Sequence, residues 1–235
     1  MATSIRSSSS NNSTTGTAMS VSTPVGTIAG DLVIISVHGN GQTTIVDNNG
    51  TTPFTEDLND FQPNPTGGHT VSIFSRRILL GDPTTYNFTL GASSRWSIVA
   101  VTLSSPHPNT IYDVAPSTTN AGNTDDSAIN TQVTPSISPT SKNAIVFVCG
   151  YSDDPTGGSP TPPSTYIQVQ GPVDEPQGVA VKVVSYPSTT GVLTYTFTTN
   201  APRIALSFAI RDFGKSASFY HRSLRPRVFA PGLAR

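Results

Sequence analysis

Apolar residues in this chain arrive in bursts of strand length and never at helical spacing. LVIISVH (32–38), WSIVAVTL (96–103), NAIVFVCGY (143–151), GVAVKVVSY (178–186) and RIALSFAIRDF (203–213) are short, rich in β-branched residues and bounded by turn formers. HTVSIFSRR (69–77) and the stretch around Tyr86, Phe88 and Leu90 alternate with a period of two. No long window repeats every 3.6 residues. Composition agrees: 33 Thr and 30 Ser, with 19 Gly and 20 Pro, leave little room for helix formers. Thr favours strands, and the other three favour turns. The expected fold class is all-β.

The remaining counts narrow the setting. Charged residues are only 11% of the chain and the net charge is −1. That total conceals an acidic body and a basic end, because residues 214–235 hold Lys215, Arg222, Arg225, Arg227 and Arg235 and no acid. No apolar run approaches the ~20 residues that span a bilayer, so no membrane partner is expected. The start, MATSIRSSSSNNSTTG, lacks an apolar h-region, so a chain made in the cytoplasm without a signal peptide is expected. A lone cysteine, Cys149, permits no internal disulfide and reads as a small buried hydrophobe.

The strands recur in order. GDLVIISVHG (30–39) resembles KNAIVFVCGY (142–151) about 112 residues later. HTVSIFSRR, YNFTL and SSRWSIVAVTL return as GVAVKVVSY, YTFTT and APRIALSFAIR at a nearly equal offset. Each half offers about four strands with one apolar face, too few to bury a core alone. The expectation is one jelly-roll-like β-sandwich in which two quasi-repeated halves face each other. Residues 17–213 would form it. Residues 1–16, Ser/Asn-rich with Ile5 as the only strong apolar anchor, read as a disordered arm or as an edge strand. Residues 214–235 would be a separate basic and aromatic tail.

Chemistry-bearing patterns are sparse. No G-x-S-x-G, H-E-x-x-H or phosphate-binding glycine motif is present. His38 and His69 flank apolar strands and could meet across a sheet; His107 and His221 lie apart. Asp125–Asp126 and Asp153–Asp154 read as solvated turns, with calcium as the functional rival. Tyr151, Tyr166 and Tyr186 lie among Pro/Ser/Thr turns and could offer exposed rings to a glycan. Trp96 reads as core or rim. Accordingly no catalytic residue, metal site or cofactor is expected, and an acidic body makes nucleic acid an unlikely partner.

GTIAGDLVIISVHGNG, RWSIVAVTLSSPHPNTIYDVA, TSKNAIVFVCGYSDD and the closing RIALSFAIRDF together resemble β-sandwich modules common in bacteriophage virion proteins and some bacterial surface proteins. The matching pieces are Gly30–Val37, Tyr86–Leu90, Ile98–Leu103 and Thr110–Val114, and the likeness covers roughly residues 15–213. It departs where such modules carry a Trp in a Pro-rich loop after the first strand; here that loop offers Phe54. The resemblance implies a non-enzymatic virion structural protein, first a capsid decoration protein, otherwise a tail, collar or fibre component. Its partners would be other virion proteins and further copies of itself. A carbohydrate-binding or adhesion module on a host-surface glycan is the alternative.

The last segment, RPRVFAPGLAR, is similar to short C-terminal segments of phage structural proteins. Its apolar groups interleave with arginines, and Pro226 and Pro231 favour an extended path. The docking residues expected are Arg225, Arg227, Phe229, Pro231, Leu233 and Arg235, with Phe229 and Leu233 entering apolar pockets and the arginines pairing with carboxylates.

Overall fold

A computed structural model describes residues 2–41, 44–62, 68–104, 106–119, 130–152, 160–170, 177–198 and 203–212. Among them there is no helix. The first half contributes β1 (Ser4–Ser13), β2 (Ala18–Ser22), β3 (Leu32–Asn40), β4 (Ile45–Asp47), β5 (Thr55–Gln62), β6 (His69–Arg77), β7 (Thr85–Leu90) and β8 (Trp96–Ser104). The second contributes β9 (Tyr112–Thr119), β10 (Thr131–Val133), β11 (Ala144–Ser152), β12 (Ile167–Gln170), β13 (Gln177–Val184), β14 (Thr194–Thr196) and β15 (Arg203–Ile210).

All pairings between these strands are antiparallel, and the two halves share one plan. A five-stranded sheet runs β1-β8-β3-β6-β5 in the first half, and a second runs β9-β15-β11-β13-β12 in the other. Each has a small companion sheet, β2-β7-β4 and β10-β14. In the five-stranded sheets the order of the second half repeats that of the first, while β4 of the small sheet has no counterpart among the described residues, so the repeat read from the sequence is a structural one.

Three cores hold these sheets together. The two five-stranded sheets face each other across the largest, where Leu32, Ile34, Val99 and Val101 meet Phe147, Leu206 and Phe208. Behind the first sheet, Val33, Ile35, Val37 and Trp96 pack on Met19, Tyr86 and Phe88 of the small sheet and its neighbours. Behind the second, Val146, Val148 and Ala180 pack on Tyr195 and Phe197. The result is four layers, small-large-large-small. This corrects the expectation that neither half buries a core by itself: each does, with strands too short or too polar to stand out in the sequence.

The domain boundary also moves. Residues 4–13 are an edge strand of the first sheet, paired with β8 along its length. Thr3 donates its backbone N–H to Asp212 Oδ1 at 2.6 Å, so the folded body begins well before residue 17 and its two ends meet.

Gly150 and Gly178 are direct cross-strand partners, and the ring of Tyr195 lies over them. A Cβ on Gly150 would stand 2.8 Å from Tyr195 Cγ, and one on Gly178 would stand 2.7 Å from Pro160 Cγ. The Tyr195 hydroxyl donates to Val148 O at 2.9 Å, which prevents the ring from withdrawing. Gly150→Ala is therefore expected to destabilise by about 1–3 kcal/mol through overpacking. Leu206→Ala, in the central core, should cost about 2–5 kcal/mol. Urea denaturation followed by tryptophan fluorescence measures both; an unchanged midpoint for Gly150→Ala would refute the close packing of Tyr195.

Candidate functional site

Alternation along β3 points Leu32, Ile34, Ser36 and His38 toward the central interface, so its apolar end gives way to a polar one. On β6 the same face carries Ile73, Val71 and His69. Because Val71 pairs with His38 and His69 with Asn40, the two histidines are diagonal neighbours. Their Nε2 (His38) and Nδ1 (His69) atoms lie 3.1 Å apart, and both residues are buried.

The facing sheet answers with polar groups. Tyr151 and Gln177, directly paired across β11 and β13, reach over to β3. The Tyr151 hydroxyl lies 2.5 Å from Ser36 Oγ, and Gln177 Nε2 donates to Ser36 Oγ at 2.9 Å. The His38 and Tyr151 rings are 5.5 Å apart. His38 Nδ1, Ser97 Oγ and Gln177 Oε1 make no hydrogen bond within the described residues. Such unpaired buried atoms carry a desolvation cost, which makes this end of the interface the weaker one.

Electrostatics fix the protonation states. Burial, with a contribution from His69, holds His38 well below the ordinary 6.5, and burial brings His69 down to about 4. Burial pushes the Cys149 thiol up to about 12 and the Tyr151 phenol well above its usual range. At neutral pH the imidazoles are uncharged, one donating to the other, and the thiol is protonated. Neither is available to an outside substrate. A metal ion would first have to break the imidazole pair, and no group of three or more His, Cys, Asp or Glu is gathered among the described residues.

The tyrosines expected to form a glycan platform do not come together. Tyr151 is 1% exposed and belongs to the central interface, so it is removed from that set. Tyr166 is 9% exposed, its ring turned into the core of the second half, with Lys182 Nζ 5.6 Å from its centroid. Only Tyr186, 69% exposed, presents a face to solvent, beside Lys142. The expected strand-end exposure failed for Tyr151 because its polar neighbours lie across the interface, not in solvent. Trp96 is buried, and Phe54, in the loop where the resemblance leads one to look for a Trp, packs edge-on against Tyr86 under Arg76. Asp125–Asp126, Asp153–Asp154, His221 and the docking residues Arg225 to Arg235 lie outside the described residues.

Two polar clasps were not foreseen. Asp113 accepts from the backbone N–H and hydroxyl of both Thr140 and Ser141 and from Arg211, and the hydrogen bonds lower its pKa against a burial cost that acts the other way. Arg6 holds Asp31 in a bidentate pair at 2.7 and 3.1 Å. Both fasten an edge strand to the loop that leads into a central strand. A third missed feature is the exposed apolar turn at Leu79–Leu80; its sequence signal was two leucines directly before Gly-Asp-Pro.

Fold and site together define a duplicated all-β sandwich with a sealed polar interface. The chain matches no family model, no curated protein and no solved structure.

Because both imidazoles bind a proton less readily folded than unfolded, the sandwich should be at full strength above pH 6.5 and weaken as pH falls toward 4. For His69 alone the loss is about 3 kcal/mol at 1.36 kcal/mol per pH unit. Denaturant midpoints measured from pH 7.5 to 4 in wild type and in His38→Leu/His69→Leu check this. The double variant should flatten the profile over that window; an equal slope in both would refute the assignment.

Proposed function

We propose that this protein is a non-enzymatic structural protein of a bacteriophage virion, most simply a capsid decoration protein that attaches through its C-terminal tail. The observation that carries the reading is where the chain spends its polar residues. Ser7, Ser9 and Asn11 of β1 donate to the carbonyls of Val25, Ser22 and Ser20, while Ser8 donates to Val169 O in the other half. Hydroxyls that could serve a reaction are used to tie sheet edges together. A brick of four layers with a basic, aromatic tail suits attachment to a larger assembly. Tail, collar and fibre positions are variants of the same reading.

Deleting 214–235 should leave the β circular dichroism spectrum unchanged but abolish incorporation into particles. Truncated protein that assembles as well as the full chain would sink the docking role. Imaging particles with and without the protein would assign it to head or tail.

One observation favours a glycan-binding reading instead. Tyr186, Lys182, Ser188, Thr189 and Thr190 line an open groove of ≈ 390 Å³ on the second half. An exposed ring beside hydroxyls and an amine is a surface a sugar could stack on. A glycan array decides: binding lost in Tyr186→Ala would support this reading, and silence across the array would leave the structural one.

A further inference from the structure

The loop from β6 to β7 carries Ile78, Leu79 and Leu80 into a tight turn. Asp82 N–H donates to Leu79 O, Gly81 takes φ +88°, and Leu80 at the apex is 95% exposed. Turn apices favour Pro, Asn, Asp and Gly, each for a local conformational reason, and a leucine there gains nothing from the turn itself. The turn is nevertheless held firmly. Asp82 Oδ2 accepts from Leu79 N at 2.9 Å and pairs at 3.0 Å with Arg76, which is itself seated over the Phe54 ring at 4.5 Å. With Ile28, 57% exposed, and Ala29 from the loop before β3, Leu79 and Leu80 wall an open, mainly apolar groove of ≈ 350 Å³.

We infer that this groove receives the C-terminal segment of the chain itself, residues 219–233, with Phe229 as the principal anchor. Position is the first argument. The described chain ends at Asp212, which bridges to Pro106 and accepts from Thr3. Arg77, the residue before Ile78, donates to the carbonyl of His107. The described chain therefore ends at the same end of the molecule as the loop that walls the groove. Phe219 is seven residues beyond Asp212, a reach of about 25 Å at 3.3–3.6 Å per residue. Chemistry is the second argument. The segment interleaves Phe219, Tyr220, Leu224, Val228, Phe229 and Leu233 with arginines, and this mainly apolar groove takes such groups without a lining cation to repel the arginines, Asp82 being already paired with Arg76. The other groove presents Lys182, with Lys142 beside Tyr186, and would repel a basic segment.

This inference goes beyond the docking role and does not depend on it: the groove holds the tail in the free protein, and its test is separate from that of particle incorporation. In the full-length chain, p-benzoylphenylalanine replaces Phe229, and photo-cross-links are mapped by mass spectrometry. Cross-links should concentrate on 78–84 and 27–29, and Leu80→Asp, a change at a solvent-exposed site, should lower their yield at least about tenfold, as a loss of 1.4 kcal/mol would. Cross-links on 182–193, cross-links spread without preference, or a yield indifferent to Leu80→Asp would overturn the assignment. If deletion of 214–235 abolishes incorporation while the cross-links avoid the groove, the groove falls and the docking role stands. If the cross-links lie in the groove and deletion changes nothing, the groove stands and the docking role falls.

Discussion

Everything in this molecule depends on two five-stranded sheets being apolar on both faces. Leu32 and Ile34 face the partner sheet while Val33, Ile35 and Val37 of the same strand face the other way, and all five are buried. β11 does the same with Ile145, Phe147 and Cys149 inward and Val146 and Val148 outward. A two-layer sandwich would leave half of these side chains in water, and a fully buried Val or Leu is worth about 1.5–3 kcal/mol over an exposed one. The small sheets are the consequence. They need only short strands because each covers a face whose edges are already held elsewhere.

The edges are managed by short polar side chains together with a few carboxylates, two of them ion-paired. β1 is an edge strand, and its unpaired side would be open to another chain. Side chains at alternate positions, Ser7, Ser9 and Asn11, instead reach the backbone carbonyls around β2. Across the pseudo-equivalent corner, Tyr112 and Thr118 of β9 donate to Asp57 and Asp60 of β5. Each such bond is worth about 1 kcal/mol net, so the low-complexity start of the chain acts by number and regular spacing. A stretch that looks like a linker in composition is a clasp in geometry.

That contrast marks what was legible in the sequence. Buried strands announced themselves as apolar runs, and their recurrence gave away the duplication. β2, β4, β5, β9, β10 and β12 did not, and β1 was legible only as one of two alternatives, because an edge or companion strand needs few apolar residues and its pairing is decided by what it lies beside. The His38–His69 contact was visible as a chance for two strand-end histidines to meet, since period-two alternation fixes which face each occupies. The partners Tyr151, Gln177 and Ser36 were not, because they come together only through the packing of one half on the other. Tyr151 shows the limit most plainly: flanked by Gly and Ser in the sequence, it reads as a turn residue, yet the facing sheet makes it the center of a buried network.

Duplication also shows where the halves have parted. Equivalent strands keep the same order; the loops between equivalent strands do not match. After β6 the chain makes a four-residue turn topped by Leu79 and Leu80 and fixed by Asp82 and Arg76. After β13 the corresponding connection is longer, polar, and carries Tyr186 beside Lys142. The interface itself is asymmetric at one end, imidazoles on one sheet facing a phenol and an amide on the other. A symmetric brick would offer the same surface twice. Here one half presents an apolar turn and the other a polar groove that carries Lys182, so the two halves offer different surfaces and the molecule has a direction.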